Sequence, residues 1–359
     1  MRKRIRTVLA VALAAALLAG CGGNSAEGSD TPSSAQESLS SEDQVSDGNQ
    51  ATAAEQDGAT SGEVKVNAKK DKFMLPEITM LTTESVDLQY QFAKKMDKVT
   101  WKSSDSSVVK VGKNGSKITA KHAGEATVEG ETADGKHRFR CDVTVEKKPK
   151  SIIYMTFDDG PTRYSTPKVL NILKKNGVKA TFFEIKPSKE DYDLTQRVID
   201  EGHTLAIHGY SHTYSAIYKS DEAYHKNLTK LQKLFYKNFG VWCTQTRFPG
   251  GSSNTVSRHY SQGIMSRLSK KVSKWGFKYQ DWNVSSGDAG GAKTSDQVFK
   301  YVKSGLQKGR SNVILMHDFA GNDKTINALQ RIIDYGKSKG YVFRAMTAAT
   351  SEVHHGVNN

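Results

Sequence analysis

The stretch IIYMTFDDGP at residues 152–161 decides the fold, because an apolar run suited to a buried strand ends there in two adjacent carboxylates. From this point to residue 340, helical patterns alternate with short apolar runs. Each helical pattern ends at a glycine, which supplies the left-handed residue that closes many helices. Repeated helix–strand units predict a parallel sheet that is closed, or nearly closed, as a barrel. The six glycines are Gly177, Gly202, Gly240, Gly276, Gly309 and Gly340.

Polar residues follow the apolar runs at five places in this part of the chain. The carboxyl ends of parallel strands meet on one face of a barrel, where barrel enzymes hold their active sites. Polar residues that served only solubility would be scattered over both ends. The sequence therefore predicts one site assembled from distant segments. Its members are Asp158 and Asp159, His208 and His212, Arg247, Asp288, and His317.

The residue types in this set predict a metal-assisted hydrolase. His208 and His212 are four residues apart and can point the same way. Two imidazoles and one carboxylate form a known catalytic zinc set that leaves one position open for water. Asp158 and Asp159 can have different roles: one carboxylate binds metal, and the other takes a proton from water.

Three further residues are candidates for controlling protons. His317 follows a strongly apolar run and is available as a proton donor. Arg247 and Asp288 can be the charge partners that set the protonation of the base and the acid. Each of them can instead have a purely structural role. His317 would then be a histidine at the rim of the barrel, and Arg247 and Asp288 would be ordinary salt-bridge residues.

Four ordered motifs resemble the polysaccharide deacetylase family (NodB homology, carbohydrate esterase family 4). They are TFDDGP at 156–161, HGYSH at 208–212, RFP at 247–249 and LMHD at 315–318. The resemblance spans residues 150–347. It implies a distorted, incomplete β/α barrel with a divalent metal, zinc being expected first and cobalt or manganese being the alternatives.

The resemblance also implies a role for each matching position. Asp159, His208 and His212 look like the metal ligands. Asp158 resembles the general base, and His317 resembles the general acid.

Four more positions resemble supporting members of the family site. Arg247 looks like the residue that orients the base, and Asp288 matches the residue that pairs with the catalytic histidine. Leu315 resembles a wall of the acetyl pocket. The oxyanion contact is implied to be the backbone N–H of Gly250, and a backbone donor explains why glycine can stand where relatives often have tyrosine.

One motif departs from the family pattern. Ala289 follows Asp288 where relatives often have tryptophan, and Ser285 stands where another aspartate is common. The departure affects the wall of the acetyl pocket, and with it the substrate range, rather than the metal site.

The substrate expected from the resemblance is an N-acetylated cell-wall polysaccharide. Relatives with Asp-Asp-Gly-Pro act more often on N-acetylglucosamine than on N-acetylmuramic acid, so peptidoglycan is favoured. Chitin oligomers, xylan and an exported polysaccharide are the alternatives within the enzyme class. The alternative from another class is a catalytically silent wall-binding lipoprotein, and the intact set of ligands and acid–base candidates counts against it.

Residues 63–148 predict a small all-β sandwich before the barrel. Short alternating stretches are separated by the turn pairs Asn114-Gly115 and Asp134-Gly135. The segment resembles the bacterial immunoglobulin-like domain of group 2, and a spacer and a weak wall-binding module are equally good readings of it. At the other end of the chain, residues 348–359 are expected to be a tail.

Residues 1–21 predict an export signal. Basic residues precede an apolar run, Val8 to Leu18, that is short for a membrane span. The ending LAGC resembles the bacterial lipoprotein cleavage box, which implies lipidation of Cys21 and a place outside the cytoplasm, on the membrane and facing the wall. Residues 22–62 contain few large apolar residues and predict a disordered tether.

The net charge of +14 at pH 7 favours anionic surroundings. Nucleic acid and an anionic cell envelope would both meet that requirement, and the predicted export argues against nucleic acid. Cys141 and Cys243 fall in different predicted domains, so buried thiols are expected rather than a disulfide framework.

Overall fold

The computed structural model describes residues 66–67, 72–75, 77–91, 98–113 and 115–359. The predicted export signal with Cys21 and the predicted tether at 22–62 lie outside these residues. No helix in the described part of the chain is long and apolar enough to cross a membrane.

The described residues between 66 and 146 form an all-β unit with its own apolar core. Its strands are β1 (Val66–Asn67), β2 (Lys72–Met74), β3 (Ile78–Leu81), β4 (Ser85–Asp87), β5 (Val99–Ser103), β6 (Val109–Val111), β7 (Lys117–Ala120), β8 (Gly124–Thr132) and β9 (Arg138–Glu146), with a 3₁₀ turn at Leu88–Tyr90. One sheet has the order β1–β2–β9–β8–β5 with β3 beside β9, and the other has the order β4–β7–β6. Gly115 lies between the antiparallel neighbours β6 and β7, and the predicted turn pair Asp134-Gly135 lies between β8 and β9. Asn114 lies outside the described residues. Trp101 and Cys141 are buried in this core.

The second unit is a curled parallel sheet surrounded by helices. Its strands are β10 (Ile152–Asp158), β11 (Thr181–Ile185), β12 (Thr204–Gly209), β13 (Gln245–Thr246), β14 (Lys278–Tyr279), β15 (Val284–Ser285), β16 (Ser311–His317) and β17 (Val342–Phe343). Its helices are α1 (Thr166–Asn176), α2 (Tyr192–Asp200), α3 (Tyr214–Ile217), α4 (Asp221–Phe239), α5 (Ile264–Lys271), α6 (Ser295–Gly305) and α7 (Asp323–Ser338), with 3₁₀ turns at Lys189–Asp191, Val256–His259 and Ser273–Trp275. The strand order is β14–β13–β12–β11–β10–β16–β15, with β17 beside the start of β10. Within residues 150–359, all of which are described, no strand pairing joins β14 to β15. The predicted incomplete barrel is therefore confirmed.

Strand β10 shows how the sequence separates the two faces of the sheet. Side chains alternate along a strand, and Ile153, Met155 and Phe157 pack into the large core beneath the helices. Ile152 and Tyr154 point the other way, into a smaller core inside the barrel. Because both faces are covered, every residue of β10 is buried.

Five of the six predicted glycines end a helix, and the sixth does not. All six have φ between 63° and 87°, in the left-handed region. The prediction for Gly309 is wrong, because α6 already ends at Gly305 and the next residue, Leu306, is extended. Ser165 stands at the N-cap position of α1, but its hydroxyl does not cap the helix. The hydroxyl instead donates to the carbonyl oxygen of Phe319 at 2.7 Å, which ties α1 to the loop after β16.

The floor of the barrel is closed by residues from outside the main strands. Met346 is fully buried in the interior core, and its backbone exchanges hydrogen bonds with the hydroxyls of Thr181 (2.9 Å) and Thr204 (2.6 Å). Leu81, at the end of β3 in the all-β unit, belongs to the same interior core. The all-β unit thus contributes directly to the barrel.

Residues 348–359, expected to be a tail, lie along the open edge of the barrel. The amide of Asp281 donates to the carbonyl oxygen of Val353 at 2.8 Å, and the Val353 amide donates to Gln280 Oε1 at 3.0 Å. The His354 ring stacks on Tyr279, with centroids 3.8 Å apart. The segment therefore occupies the edge between β14 and β15.

Candidate active site

Asp159, His208 and His212 form a group of potential metal ligands at the carboxyl ends of β10 and β12. Their ligand atoms all lie within 4.8 Å of one another. Asp159 Oδ1 is 3.5 Å from His208 Nε2 and 3.7 Å from His212 Nε2. Two ligands at ordinary zinc distances in tetrahedral geometry are about 3.4 Å apart. The three residues therefore fit a divalent cation such as zinc.

The surroundings of His208 leave one ring nitrogen available to a cation. His208 Nδ1 is 3.0 Å from the carbonyl oxygen of Arg247, which can only accept a hydrogen bond, so Nδ1 carries the proton. Burial lowers the pKa of His208 to about 3, so the ring is neutral at physiological pH. Neutral imidazole with a free Nε2 is the form that binds metal.

Asp159 has a backbone conformation that is rare for an aspartate. Its φ of 72° lies in the left-handed region, where a residue with a side chain is strained by about 1–3 kcal/mol. Such strain is common at functional sites. Asp159 has this conformation in the turn that follows β10, and its side chain lies next to His208.

Asp158 is held beside the metal ligands by a buried arginine. Asp158 is the last residue of β10, and its Oδ1 accepts from Arg247 Nη1 at 2.7 Å. Its Oδ2 is 3.9 Å from His208 Nε2 and faces the ligand group. Burial raises the pKa of Asp158, and the charge of Arg247 opposes that effect. A carboxylate in this setting is a stronger base than an exposed one.

Arg247 is fixed by hydrogen bonds from every part of its guanidinium. Besides Asp158, Nη1 donates to the hydroxyl of Thr156 at 2.7 Å. Nε donates to the carbonyl oxygen of Gln280 at 2.9 Å, and Nη2 to that of Asp281 at 3.0 Å. The residue is fully buried, and its four acceptors leave it one orientation.

His317 and Asp288 form a second buried ion pair opposite this one. The parallel register places His317, the last residue of β16, beside Asp158. His317 Nδ1 is 2.8 Å from Asp288 Oδ1. Burial opposes the charged imidazolium, but the hydrogen bond and charge of Asp288 outweigh it and raise the pKa of His317 to about 9. His317 is therefore charged at neutral pH and can donate a proton from Nε2.

Asp288 is held by donors from three segments. Burial disfavours its charge, but the hydrogen bond from His317 leads the effects that lower its pKa to about 2. Its carboxylate accepts from the Ser286 hydroxyl (2.8 Å), the His317 amide (2.8 Å), Asn322 Nδ2 (2.9 Å) and the Thr325 hydroxyl (2.6 Å).

The remaining predicted positions lie at the edges of this site. Leu315 is buried two residues before His317, on the same face of β16. Gly250 is exposed with φ of 78°, and its N–H has no acceptor in the part of the chain that the structure describes. Ala289, where relatives often have tryptophan, is exposed, as is Ser285.

Sequence reasoning missed several residues that the structure brings to the site. Asp318 was quoted only as part of a motif, yet it is fully buried, and burial raises its pKa to about 7. A side chain at Gly160 would clash with its carboxylate. Thr156 was also quoted only as part of a motif, yet its hydroxyl accepts a hydrogen bond from Arg247. Tyr214 gave no pattern of its own, although its position two residues after His212 was a usable signal.

Comparison with known proteins connects this geometry to a family. The family described as "Polysaccharide deacetylase" matches residues 145–264, and "Bacterial Ig-like domain (group 2)" matches residues 80–143. A peptidoglycan-N-acetylglucosamine deacetylase of Bacillus cereus is 34% identical over 204 residues, which is 55% of this chain and 70% of that protein. The putative polysaccharide deacetylase YheN of Bacillus subtilis is 31% identical over 212 residues, covering 56% of this chain and 69% of that protein.

A solved structure agrees with these relatives. The catalytic domain of a peptidoglycan N-acetylglucosamine deacetylase from Eubacterium rectale is 40% identical, with a TM-score of 0.56, and the match covers 60% of this chain and 96% of that domain. The family match at 145–264 includes Asp158, Asp159, His208, His212 and Arg247. The chain therefore belongs to the polysaccharide deacetylase family, as a hydrolase that acts on an amide bond, and it carries a bacterial Ig-like domain ahead of the barrel.

Proposed function

We propose that this protein hydrolyses the acetamido groups of N-acetylglucosamine in peptidoglycan and releases acetate. The observation that carries the proposal is the placement of Asp158 and His317 beside each other in the register of β10 and β16, each with its own charge partner. Asp158 is set to accept a proton, and His317 is set to donate one. The B. cereus and E. rectale relatives, named for this substrate, support the choice of sugar.

Asp159, His208 and His212 would hold a divalent cation, and zinc is our first choice. Such a cation polarises the scissile amide and makes an attacking water more acidic. The burial of His208 keeps it neutral and ready to bind, while the partly exposed His212 and Asp159 lie nearer the solvent.

Asp158 accepts the proton of the attacking water. Arg247 occupies Oδ1 and leaves Oδ2, on the side of the ligand group, to take that proton. The oxygen of the water joins the carbonyl carbon, and the carbonyl oxygen becomes negatively charged. The free N–H of Gly250 is our candidate donor to that oxygen, and Leu315 is our candidate wall for the acetyl methyl group.

His317 completes the reaction by protonating the leaving nitrogen. The pair with Asp288 fixes Nδ1, so that Nε2 carries the proton that is transferred. The carbon–nitrogen bond breaks, the sugar amine takes the proton, and acetate leaves. One water is consumed, and no other reactant is required.

The other expectations from sequence complete the proposal. We place the protein outside the cytoplasm, joined to the membrane by a lipid on Cys21, with 22–62 as a tether that lets the folded part reach the wall. We also propose that the Ig-like domain spans residues 63–148 and the deacetylase domain spans residues 150–347. The positive charge of the chain suits a wall rich in anionic polymers.

The test is acetate release by the full chain from N-acetylated peptidoglycan, after metal is stripped and again after zinc is restored. We expect release only with zinc, and a large loss in Asp158→Asn. Asp193→Asn, which removes an exposed ion pair with Arg163, is the matched control and should keep full activity. Release from chitin oligomers or acetylated xylan but not from peptidoglycan would reject the substrate and keep the deacetylase. No release from any of them by zinc-loaded protein would reject both.

A further inference from the structure

Tyr214 places a second hydrogen-bond donor beside the metal ligands. It is the first residue of α3, two residues after His212, and its side chain is only partly exposed. Neither its hydroxyl nor the N–H of Gly250 has an acceptor among residues 66–67, 72–75, 77–91, 98–113 and 115–359. The Tyr214 hydroxyl is partly shielded from water, and a shielded donor without a protein partner is commonly completed by a ligand or a water molecule.

Aromatic packing holds the Tyr214 ring in one place. The ring meets the edge of His212 with centroids 5.5 Å apart at 87°, and lies 5.3 Å from the ring of Tyr218. Tyr218 is fully buried, and its hydroxyl donates to the carbonyl oxygen of Pro249 at 2.7 Å. The same tyrosine therefore supports both the Tyr214 ring and the turn that presents Gly250.

The Tyr214 hydroxyl occupies space that a side chain at position 250 would need. A Cβ added to Gly250 would clash with the hydroxyl oxygen of Tyr214 and would lie 3.2 Å from Asn254 Cβ. The glycine at 250 thus allows the phenol to approach the backbone closely. The approach places the phenol O–H beside the backbone of Gly250.

We propose that the Tyr214 hydroxyl donates a hydrogen bond to the carbonyl oxygen of the substrate acetamido group, next to the N–H of Gly250. The inference rests on the proposed function, because the oxygen in question belongs to that substrate. A donor fixed in place before the reaction stabilises negative charge as it forms. The contact with His212 places this donor on the side of the cleft where the metal ligands lie.

The test compares Tyr214→Phe with Tyr260→Phe, which removes the hydroxyl of an exposed tyrosine near Tyr214. We expect Tyr214→Phe to lower kcat on N-acetylated peptidoglycan about 10- to 100-fold, with a much smaller change in KM. Acetate carries its charge where the substrate oxygen would be, so its affinity for the zinc-loaded protein, measured by calorimetry, should fall by a similar factor. Zinc affinity by equilibrium dialysis and the Tm should match those of the unchanged protein.

Three results would overturn this role. A rise in KM at constant kcat would mean that the hydroxyl binds the sugar elsewhere. Unchanged kcat and unchanged acetate affinity would mean that it binds nothing in the reaction. Loss of zinc would mean that Tyr214 only supports His212. The acetate measurement needs no turnover, so it tests Tyr214 even if the proposed substrate is wrong.

Discussion

Replacing Asp288 with asparagine should lower the pKa of His317, the proposed proton donor, so far that the ring is mostly neutral at pH 8. Asp288→Asn keeps the shape of the side chain and removes the charge that holds the pKa of His317 at about 9. Burial, which lowers the pKa, is then opposed by the charges of Asp158 and Asp159, whose effects are smaller than that of Asp288. We expect the pKa of His317 to fall to about 6.5, its ordinary value, or below.

The size of the effect follows from that change in pKa. At pH 8 a group with a pKa of about 9 is about 90% protonated, whereas one at about 6.5 is about 3% protonated. The variant should therefore lose about 30-fold in kcat/KM at pH 8 from protonation alone. At pH 5.5 His317 is mostly protonated in both the unchanged protein and the variant. Any remaining loss of kcat/KM at that pH comes from an altered orientation of the ring.

The free energy of unfolding should also depend on the ion pair between His317 and Asp288. Because the pKa of His317 is raised on folding, its pair with Asp288 stabilises fully below pH 6.5 and loses its effect as the pH rises through 9. The rise in the pKa of His317 from about 6.5 to about 9 corresponds to about 3 kcal/mol. The lowered pKa of Asp288 reflects the same ion pair, so it is not counted a second time. The free energy of unfolding should therefore decline from pH 6.5 to 9 in the unchanged protein, and less steeply in the variant.

Histidine-labelled NMR and the pH dependence of kcat/KM measure the two effects. Asp296→Asn, which removes an exposed partner of Arg331, is the matched control and should change neither. A His317 pKa that stays near 9 in Asp288→Asn, or an equal loss of activity at pH 5.5 and pH 8, would refute the reasoning.

Four further perturbations test the rest of the site. Asp158→Asn should lower kcat about 10²- to 10⁴-fold with unchanged zinc affinity in equilibrium dialysis; a loss of zinc would instead make Asp158 a ligand. His212→Ala should weaken zinc binding in the same dialysis, and undiminished affinity would remove it from the ligand set. Arg247→Lys should leave buried carbonyl oxygens without donors and lower the free energy of unfolding in urea by about 1–3 kcal/mol, whereas an unchanged midpoint would contradict the network. Deleting residues 352–359 should remove the packing of Val353 against the interior core and the hydrogen bonds that Val353, His354, His355 and Asn359 make to the barrel. The loss in thermal unfolding should be at least about 3 kcal/mol, and an unchanged Tm would show that the segment only rests on the barrel.

The sequence predicted the parts of this molecule that depend on local pattern. The alternation of β10 and the glycines at helix ends are set by residues close together in the chain. The convergence of Asp158, His208 and His317 follows from a general property of parallel strands, so it needed no knowledge of the exact register. The family was recognisable because its motifs lie at those strand ends.

The parts that the sequence did not predict depend on contacts between distant segments. Ser165 has the right position to cap α1, but its hydroxyl is taken by Phe319, 154 residues later. Thr325 binds Asp288 only because α7 packs over the loop after β15. The approach of Tyr214 to Gly250 depends on the buried Tyr218. None of these contacts leaves a periodic trace in the sequence.

The floor of the barrel has a consequence for how the chain reaches its folded state. Met346 binds Thr204 and Thr181, which are 142 and 165 residues earlier in the chain, and Leu81 joins the same core from still further away. Contacts of such separation form slowly, because a long loop must be ordered before they are made. A folding chain in which residue 346 has not yet docked leaves the apolar interior open to solvent. The interior of the barrel is therefore closed only when the segment around Met346 takes its place.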